Sequence, residues 1–492
     1  MTVIPAPGRA TMKAFVWLFS SLCLVALLSP PGATHDEAYH MRSIWCAQGE
    51  RPTYCTELFI DEDTTAYYAR TNIETQNCQK PIREPLLCPT DRSGESAFRT
   101  NDGLYPGLFY TSLSWFVVPN VEVSVVIMRM VSIALIVSIL GLSWWLLPPR
   151  YRVVHVLVCV TGFTATGYFL FASINPSSWT TLGVGFGWLA LHAALSEGAL
   201  SRNRRLALVS VSLAAWAMAL GSRNDAAAFI VFSLMNVVLH VSWLRFPTRR
   251  RELSIGVGVL AAFGWSALEL FSAVWPLSSL RRLYTFTEGQ RDNIAFFTEN
   301  LLQASPNTLR ALGTVPSMSA VILPELVYVG GLLLLGFYVV RTYNRHNVLQ
   351  TIGVVFSSLV ISLVVMTQIA LVDVRDSGTI EPRYTYPLLL FAFGWWYLLG
   401  PSDLADKVGE TLRSAALIST LIFALTMFTV AERFVDVQTS GLRYLPEGPD
   451  QWWWSWMPVG PNVVVLLATV SLWRFFSEIQ QVLTVDKKAI SP

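Results

Sequence analysis

Charge is scarce in this sequence. Asp, Glu, Lys and Arg make up 14% of its 492 residues, where a soluble globular chain carries about a quarter. The net charge of +2 is too small to suggest a nucleic-acid partner. There is no Gly-rich phosphate loop of the Walker type, so ATP use within the chain is not expected. Neither an internal repeat nor a low-complexity tract is visible. The six cysteines include no C-x-x-C pair, which argues against a structural zinc site.

What remains is apolar and aromatic. Hydrophobic residues reach 53%, with 18 Trp and 27 Phe, and mean hydropathy is +0.47. Rings in such numbers suit anchoring at lipid interfaces. Lipid admits only helices or closed barrels, and a helix needs about 20 apolar residues to cross. Hydropathy places spans near 14–30, 121–147, 152–172, 178–198, 205–221, 225–244, 253–274, 319–340, 348–372, 384–400, 412–431 and 457–476. The expected fold is therefore all-α: a polytopic bundle of about 12 spans over 1–476, with a tail at 477–492.

The segment 105–118 is short and stops at Pro119-Asn120, so it reads as an interfacial helix. Parity supports this. With a cytoplasmic N-terminus, the clusters Arg9 and Lys13, Arg150 to Arg152, Arg202 to Arg205, Arg245 to Arg251, Arg341 to Arg345, Lys407 to Arg413, and Lys487-Lys488 then fall inside. Counting 105–118 as a span would put the densest arginine loops outside. The first apolar run is longer than a typical signal core and lacks a clear A-x-A site, so an uncleaved first span is expected.

The large outer loop, 31–120, is expected to carry short amphipathic helices and, at this length, a function. It holds Cys46, Cys55, Cys78 and Cys88, while Cys23 and Cys159 lie within spans. In an oxidising compartment the four read as two disulfides, with three connectivities open.

Chemistry-bearing residues gather on that side. His35-Asp36-Glu37-Ala38-Tyr39-His40 follows the first span, and its carboxylates suit a general base or a hard-metal site. Thr34 with Glu37 also fits a capping box, leaving Asp36 free to face a cavity. Glu381-Pro382-Arg383-Tyr384 precedes a span, and with Arg375 and Arg223 supplies guanidinium forks suited to phosphate, or to lipid headgroups. Arg129 and Glu269 lie inside spans, where each needs a cavity or an ion-pair partner. Trp452-Trp453-Trp454 and Trp456 read as an aromatic belt.

Taken together, an acidic motif behind the first span at the head of a large outer loop resembles the GT-C superfamily of polytopic glycosyltransferases. More closely, the chain is similar to a branch of bacterial predicted membrane proteins of unassigned function. The elements carrying the likeness are Asp36-Glu37-x-x-His40, Tyr105-Pro106-Gly107-Leu108-Phe109-Tyr110, Asn175-Pro176-Ser177 and Glu381-Pro382-Arg383-Tyr384. The resemblance implies inverting transfer of a sugar from a polyprenyl-phosphate donor to a glycan or lipid acceptor outside a bacterial plasma membrane. Asp36 would be the base, with Glu37 and His40 orienting it or the acceptor, and Arg383 with Arg223 or Arg375 would compensate the phosphate. A divalent metal serves some members and not others. Rival expectations are a transporter or flippase of envelope precursors, and a noncatalytic envelope-assembly scaffold.

Overall fold

The computed structural model describes residues 8–29, 31, 32, 34, 37–48, 55–59, 65–69, 97, 98, 105–162, 165–245, 386–398, 413, 416–428, 454 and 456–490. The expected spans 253–274, 319–340 and 348–372, together with Glu269, lie outside this set.

Among the described residues, three helices are long and apolar enough to cross a membrane: α1 (Arg9–Ala26), α4 (Val121–Leu146) and the first 24 residues of the final helix. Between them stand α2 (Glu37–Trp45), α3 (Gly107–Ser114), α5 (Pro149–Gly162), α6 (Ala165–Ala172), α7 (Pro176–Leu182), a π-turn at Gly183–Gly187, α8 (Trp188–Ser196), α9 (Arg202–Leu220) and α10 (Ala226–Arg245). They are followed by α11 (Tyr386–Leu398), α12 (Ala416–Phe428) and α13 (Pro461–Ile490). Helices thus stand on most of the hydropathy peaks that can be compared. One runs longer than expected: α13 extends beyond position 476 into the segment first read as tail.

Segment 105–118 forms only the eight-residue α3. At 1.5 Å per residue that is about 12 Å, far short of a hydrocarbon core about 30 Å thick. Its face bearing Leu108 and Trp115 is exposed, while Phe109, Tyr110 and Leu113 are buried.

The all-α expectation holds for the bundle, with one addition in the loop 31–120. There a three-stranded antiparallel sheet runs in the order β1 (Cys55–Phe59), β2 (Thr65–Ala69), β3 (Ala97–Phe98). Cys55 pairs with Ala69, and Tyr68 with Phe98. Thr65-Ala66-Tyr67-Tyr68-Ala69 is rich in the Thr and Tyr that favour a pleated surface.

The bundle runs up and down. α1 lies antiparallel to α13: Trp454 Nε1 donates to Leu27 O (2.7 Å), Ser21 Oγ donates to Ala468 O (2.9 Å), and Phe15 meets Phe475. α4 is likewise antiparallel to α1, with Phe15 against Trp144 at one end and Arg129 at Ala26 near the other. α11 descends beside α7 and α8, since Leu390 lies over Gly185 and Trp395 stacks on Trp188 at 4.7 Å. The packing is close where the chain thins: a Cβ on Gly183 would stand 2.5 Å from Ala215 O and 2.6 Å from Ala219 Cβ. Only glycine lets α9 approach the π-turn so nearly.

Candidate functional site

The centre of one end is a closed ion pair. α4 carries Arg129 two turns into its length, with its side chain wholly buried against that of Glu37 at the start of α2. The guanidinium grips the carboxylate side-on: Nε donates to Oε1 at 2.9 Å and Nη2 to Oε2 at 2.5 Å. Nη1 turns the other way and donates to Ala26 O (2.6 Å) and Ser29 O (2.8 Å). Glu37 accepts two further bonds, from Gly32 N–H on Oε2 and Ile174 N–H on Oε1, both 3.0 Å. Gly32 makes the first possible by taking a φ of 75°, a left-handed turn suited to glycine.

A carboxylate offers about four lone-pair sites, and all four on Glu37 are taken. Burial by itself would raise its pKa. The charge and hydrogen bonds of Arg129, with the Ile174 amide, outweigh that and hold the carboxyl below its ordinary range. Helix dipoles favour the same arrangement, with the cation at the carbonyl end of α1 and the anion in the first turn of α2.

With its lone pairs so engaged, Glu37 suits an orienting part better than that of a base. Its side chain does not close a capping box: Thr34 O accepts the Glu37 N–H (3.0 Å), but the carboxylate reaches Gly32 and Ile174. Arg129, expected to need a cavity or an ion-pair partner, has Glu37 as that partner.

One turn along α2, His40 is buried and its Nδ1 lies 2.9 Å from Tyr110 Oη on α3. Tyr39 and Tyr105 pack edge-on against the imidazole, with centroids at 5.3 and 5.2 Å. The two motif elements, 40 and 105–110, therefore share one aromatic cluster. α3 is fixed in turn by Phe109 N–H donating to Gly221 O (3.0 Å) and by Phe109 against Trp179.

Asn175-Pro176-Ser177 is a helix start. Asn175 Oδ1 accepts Ser177 N–H at 2.9 Å and Pro176 occupies the first turn of α7. Asn175, part of the motif that carries the resemblance, thus serves as a cap, with Ser177 carrying the onward link. Its Oγ accepts from Arg223 Nη1 (2.9 Å), and the Arg223 fork closes on Asp225 through Nε to Oδ1 (2.8 Å) and Nη2 to Oδ2 (2.6 Å). Arg223 is almost buried and Asp225 one-third exposed, so this pair opens on the rim. Asp225 was not among the candidates; its place two residues after Arg223 was the available signal.

His35, Asp36, Arg375, Glu381, Arg383 and Tyr384 lie outside the described residues. Asp36 immediately precedes α2, and Arg383 stands three positions before Tyr386, where α11 begins. That start of α11 belongs to the end of the bundle holding Glu37 and Asn175, because α11 runs alongside α7 and α8 in the same direction. Cys46 is buried and disulfide-bonded, while Cys23 and Cys159 are free. The side chains of Cys55, Cys78 and Cys88 are outside the described set. Among the described residues no group of three His, Cys, Asp or Glu side chains could hold a metal.

The opposite end is built from arginines and carbonyls. Arg204 donates to Leu146 O (2.7 Å) and Leu147 O (3.0 Å), and Arg152 to Trp144 O (3.2 Å) and Trp145 O (3.1 Å). Arg150 reaches Leu398 O (2.9 Å) and Arg205 reaches Glu197 O (3.3 Å). Nearby, Tyr151 Oη joins His192 Nδ1 (2.9 Å) and Ser196 Oγ (2.6 Å), and His192 Nε2 meets His240 Nδ1 (2.8 Å). No sequence signal announced this cluster, because its members come from three different helices.

Residues 19–392 match the family described as Predicted membrane protein (DUF2142), and the chain belongs to that family. No curated protein and no solved structure matches the chain.

Proposed function

We propose that this member of the predicted membrane protein family is a glycosyltransferase of GT-C type. It moves a sugar from a polyprenyl-phosphate donor to a glycan or lipid acceptor on the outer side of a bacterial plasma membrane. The observation that carries the reading is the bonded convergence of motifs far apart in sequence: Glu37 with Ile174, His40 with Tyr110, and Ser177 with Arg223. All of these stand at one end of the bundle, and in sequence Asp36 directly precedes Glu37 while Arg383 comes three positions before Tyr386.

The proposed topology has 12 spans and cytoplasmic termini. The arginine-rich end supports that orientation, since basic residues concentrate on the inner face. An outer loop in an oxidising compartment fits the bonded state of Cys46, and a second disulfide within the loop is part of the proposal.

In the reaction, Asp36 removes the acceptor hydroxyl proton as the oxygen attacks the anomeric carbon. The bond from that carbon to the phosphate oxygen breaks, and polyprenyl phosphate leaves with the electron pair. Attack opposite the leaving group inverts the configuration. A phosphate is a stable leaving group, so it needs positive charge rather than a proton, and Arg383 with Arg375 supplies it. Arg223, already held by Asp225, lines the rim.

The test is transfer by the purified chain in lipid nanodiscs, given a panel of polyprenyl-phosphate pentoses and hexoses with envelope lipid and glycan acceptors. The expected result is transfer by the wild type, a fall of about 100- to 10,000-fold in Asp36→Asn, and full activity in Glu478→Gln at the other end. Equal rates in wild type and Asp36→Asn would remove Asp36 as base. Substrate flux through vesicles that survives Asp36→Ala would support a transporter instead.

A further inference from the structure

We infer that Glu37 and Arg129 are a positioning pair: a buried clasp that holds the start of α2, the helix that Asp36 precedes in sequence, against three other segments. The inference rests on the transferase reading and divides the labour of the two adjacent carboxylates. One is closed off and positions; the other is left to do the chemistry.

Geometry and chemistry both argue for this division. Each Glu37 oxygen accepts one bond from Arg129 and one from a backbone amide, so the carboxylate has nothing to offer a substrate. Arg129 has both nitrogens of its side-on fork on Glu37 and its remaining terminal nitrogen on two carbonyls past the end of α1. The pair is completely shielded from solvent.

What the clasp joins matters as much. Ala26, Ser29 and Gly32 belong to the end of the first span and the turn after it. Ile174 belongs to the turn ahead of α7, whose Ser177 holds Arg223. Arg129 comes from α4. Asp36 is one peptide bond from the point where these segments are tied, and a misplacement of about 1 Å at a reacting group can cost about 100-fold in rate.

Substitution to Gln is a sharp probe. The side-chain amide in Glu37→Gln would turn its NH2 toward a donor from Arg129 or Gly32 and leave a buried cation uncompensated. Gln at both positions removes that cation and lets two amides pair. In nanodiscs, with the polyprenyl-phosphate sugar that the wild type turns over, Glu37→Gln is expected to lower kcat per folded molecule about 100-fold. KM should stay within about twofold, and the acid limb of the pH profile, set by Asp36, should not move. The double variant Glu37→Gln/Arg129→Gln should recover about tenfold of the loss.

Unchanged kcat in folded Glu37→Gln would reduce the pair to a structural tie. Disappearance of the acid limb in that variant would make Glu37 the base. Either result overturns the inference. A second measurement needs no mutation: carbodiimide with glycine ethyl ester, applied to the folded wild type and mapped by mass spectrometry, should modify Asp36 and spare Glu37. Modification of Glu37 overturns the clasp outright. Sparing of both residues counts against Asp36 as an accessible base while the clasp stands. A wild type that transfers no sugar overturns the transferase reading and the positioning role together, and the labelling still decides whether the pair is sealed.

Discussion

The two ends of the bundle handle charge in opposite ways. At the motif end, Arg129 meets Glu37 and Arg223 meets Asp225, so both of these cations are answered by an anion. At the other end, Arg150, Arg152, Arg204 and Arg205 turn to backbone carbonyls. Those carbonyls cluster where α4, α8 and α11 finish, so the arginines meet the negative ends of three helix dipoles. A paired charge in a dry interior is held by strong, directional forces and tolerates no loss. An arginine on a helix end near water can be replaced by solvent. The first arrangement fixes geometry; the second, in the proposed topology, sets which way the bundle faces.

The largest expected effect follows from removing one partner of the sealed pair. Arg129→Met should destabilise the fold by about 3–5 kcal/mol, because Glu37 is left buried and unanswered. Thermal unfolding in detergent measures it. Arg129→Met/Glu37→Gln should cost much less, and a double variant as unstable as the single one would break the proposed contrast between the ends. Acid gives a second handle. Glu37 has a folded pKa below its unfolded value, so its contribution is complete above the ordinary carboxylate range, about 4.3 for Glu. It is lost as pH falls through the depressed folded value. The wild type should therefore show an acid-dependent loss of stability that the neutral double variant lacks.

How much of this the sequence carried can be read from particular residues. Helix positions were legible because lipid imposes a length and a polarity on each span, and α4 begins where hydropathy put it. That Arg129 needed a partner was legible from the cost of an intramembrane charge. That the partner is Glu37 was not, since the two are 92 residues apart and half of the bonds to Glu37 come from backbone amides, which no side-chain pattern reveals. The Asn-Pro-Ser element stood out as a mark of the family resemblance, and Asn before Pro is equally the signature of a helix start. The sheet at 55–98 was missed because strands in an outer loop lack the long apolar runs that dominated the reading.

Between the ends, the Gly183–Gly187 turn is where the helices come closest. Gly183→Val should cost about 1–3 kcal/mol by overpacking against Ala215 and Ala219. The neighbour at 2.5 Å is a backbone oxygen, which cannot rotate away. If α9 is the rigid link between the Arg204 and Arg223 ends, this variant should weaken both. Proteolysis in detergent at sites flanking each end measures that directly. Cleavage rising at one end alone would show that the two regions open independently.

The smallest effect belongs to the arginine end. Arg204 sits at the start of α9 and donates to the carbonyls of the last α4 residue and its cap, at 2.7 and 3.0 Å. Losing a cation at a helix carbonyl end costs about 0.3–1 kcal/mol. Arg204 is only half-buried, so water can occupy the vacated carbonyls in Arg204→Gln, unlike the sealed site of Arg129. The expected shift in unfolding temperature is therefore slight, and transfer activity should be unchanged, because this end touches none of the reacting groups. Orientation is the more demanding readout. Replacing Arg150, Arg152, Arg204 and Arg205 together with Gln removes the basic bias that, in the proposed topology, retains this face inside. Cysteine accessibility at Asn224 in intact cells then reports whether the α9–α10 turn still emerges outside. An unmoved label with all four replaced would mean that the arginines cap helices and do not set the topology.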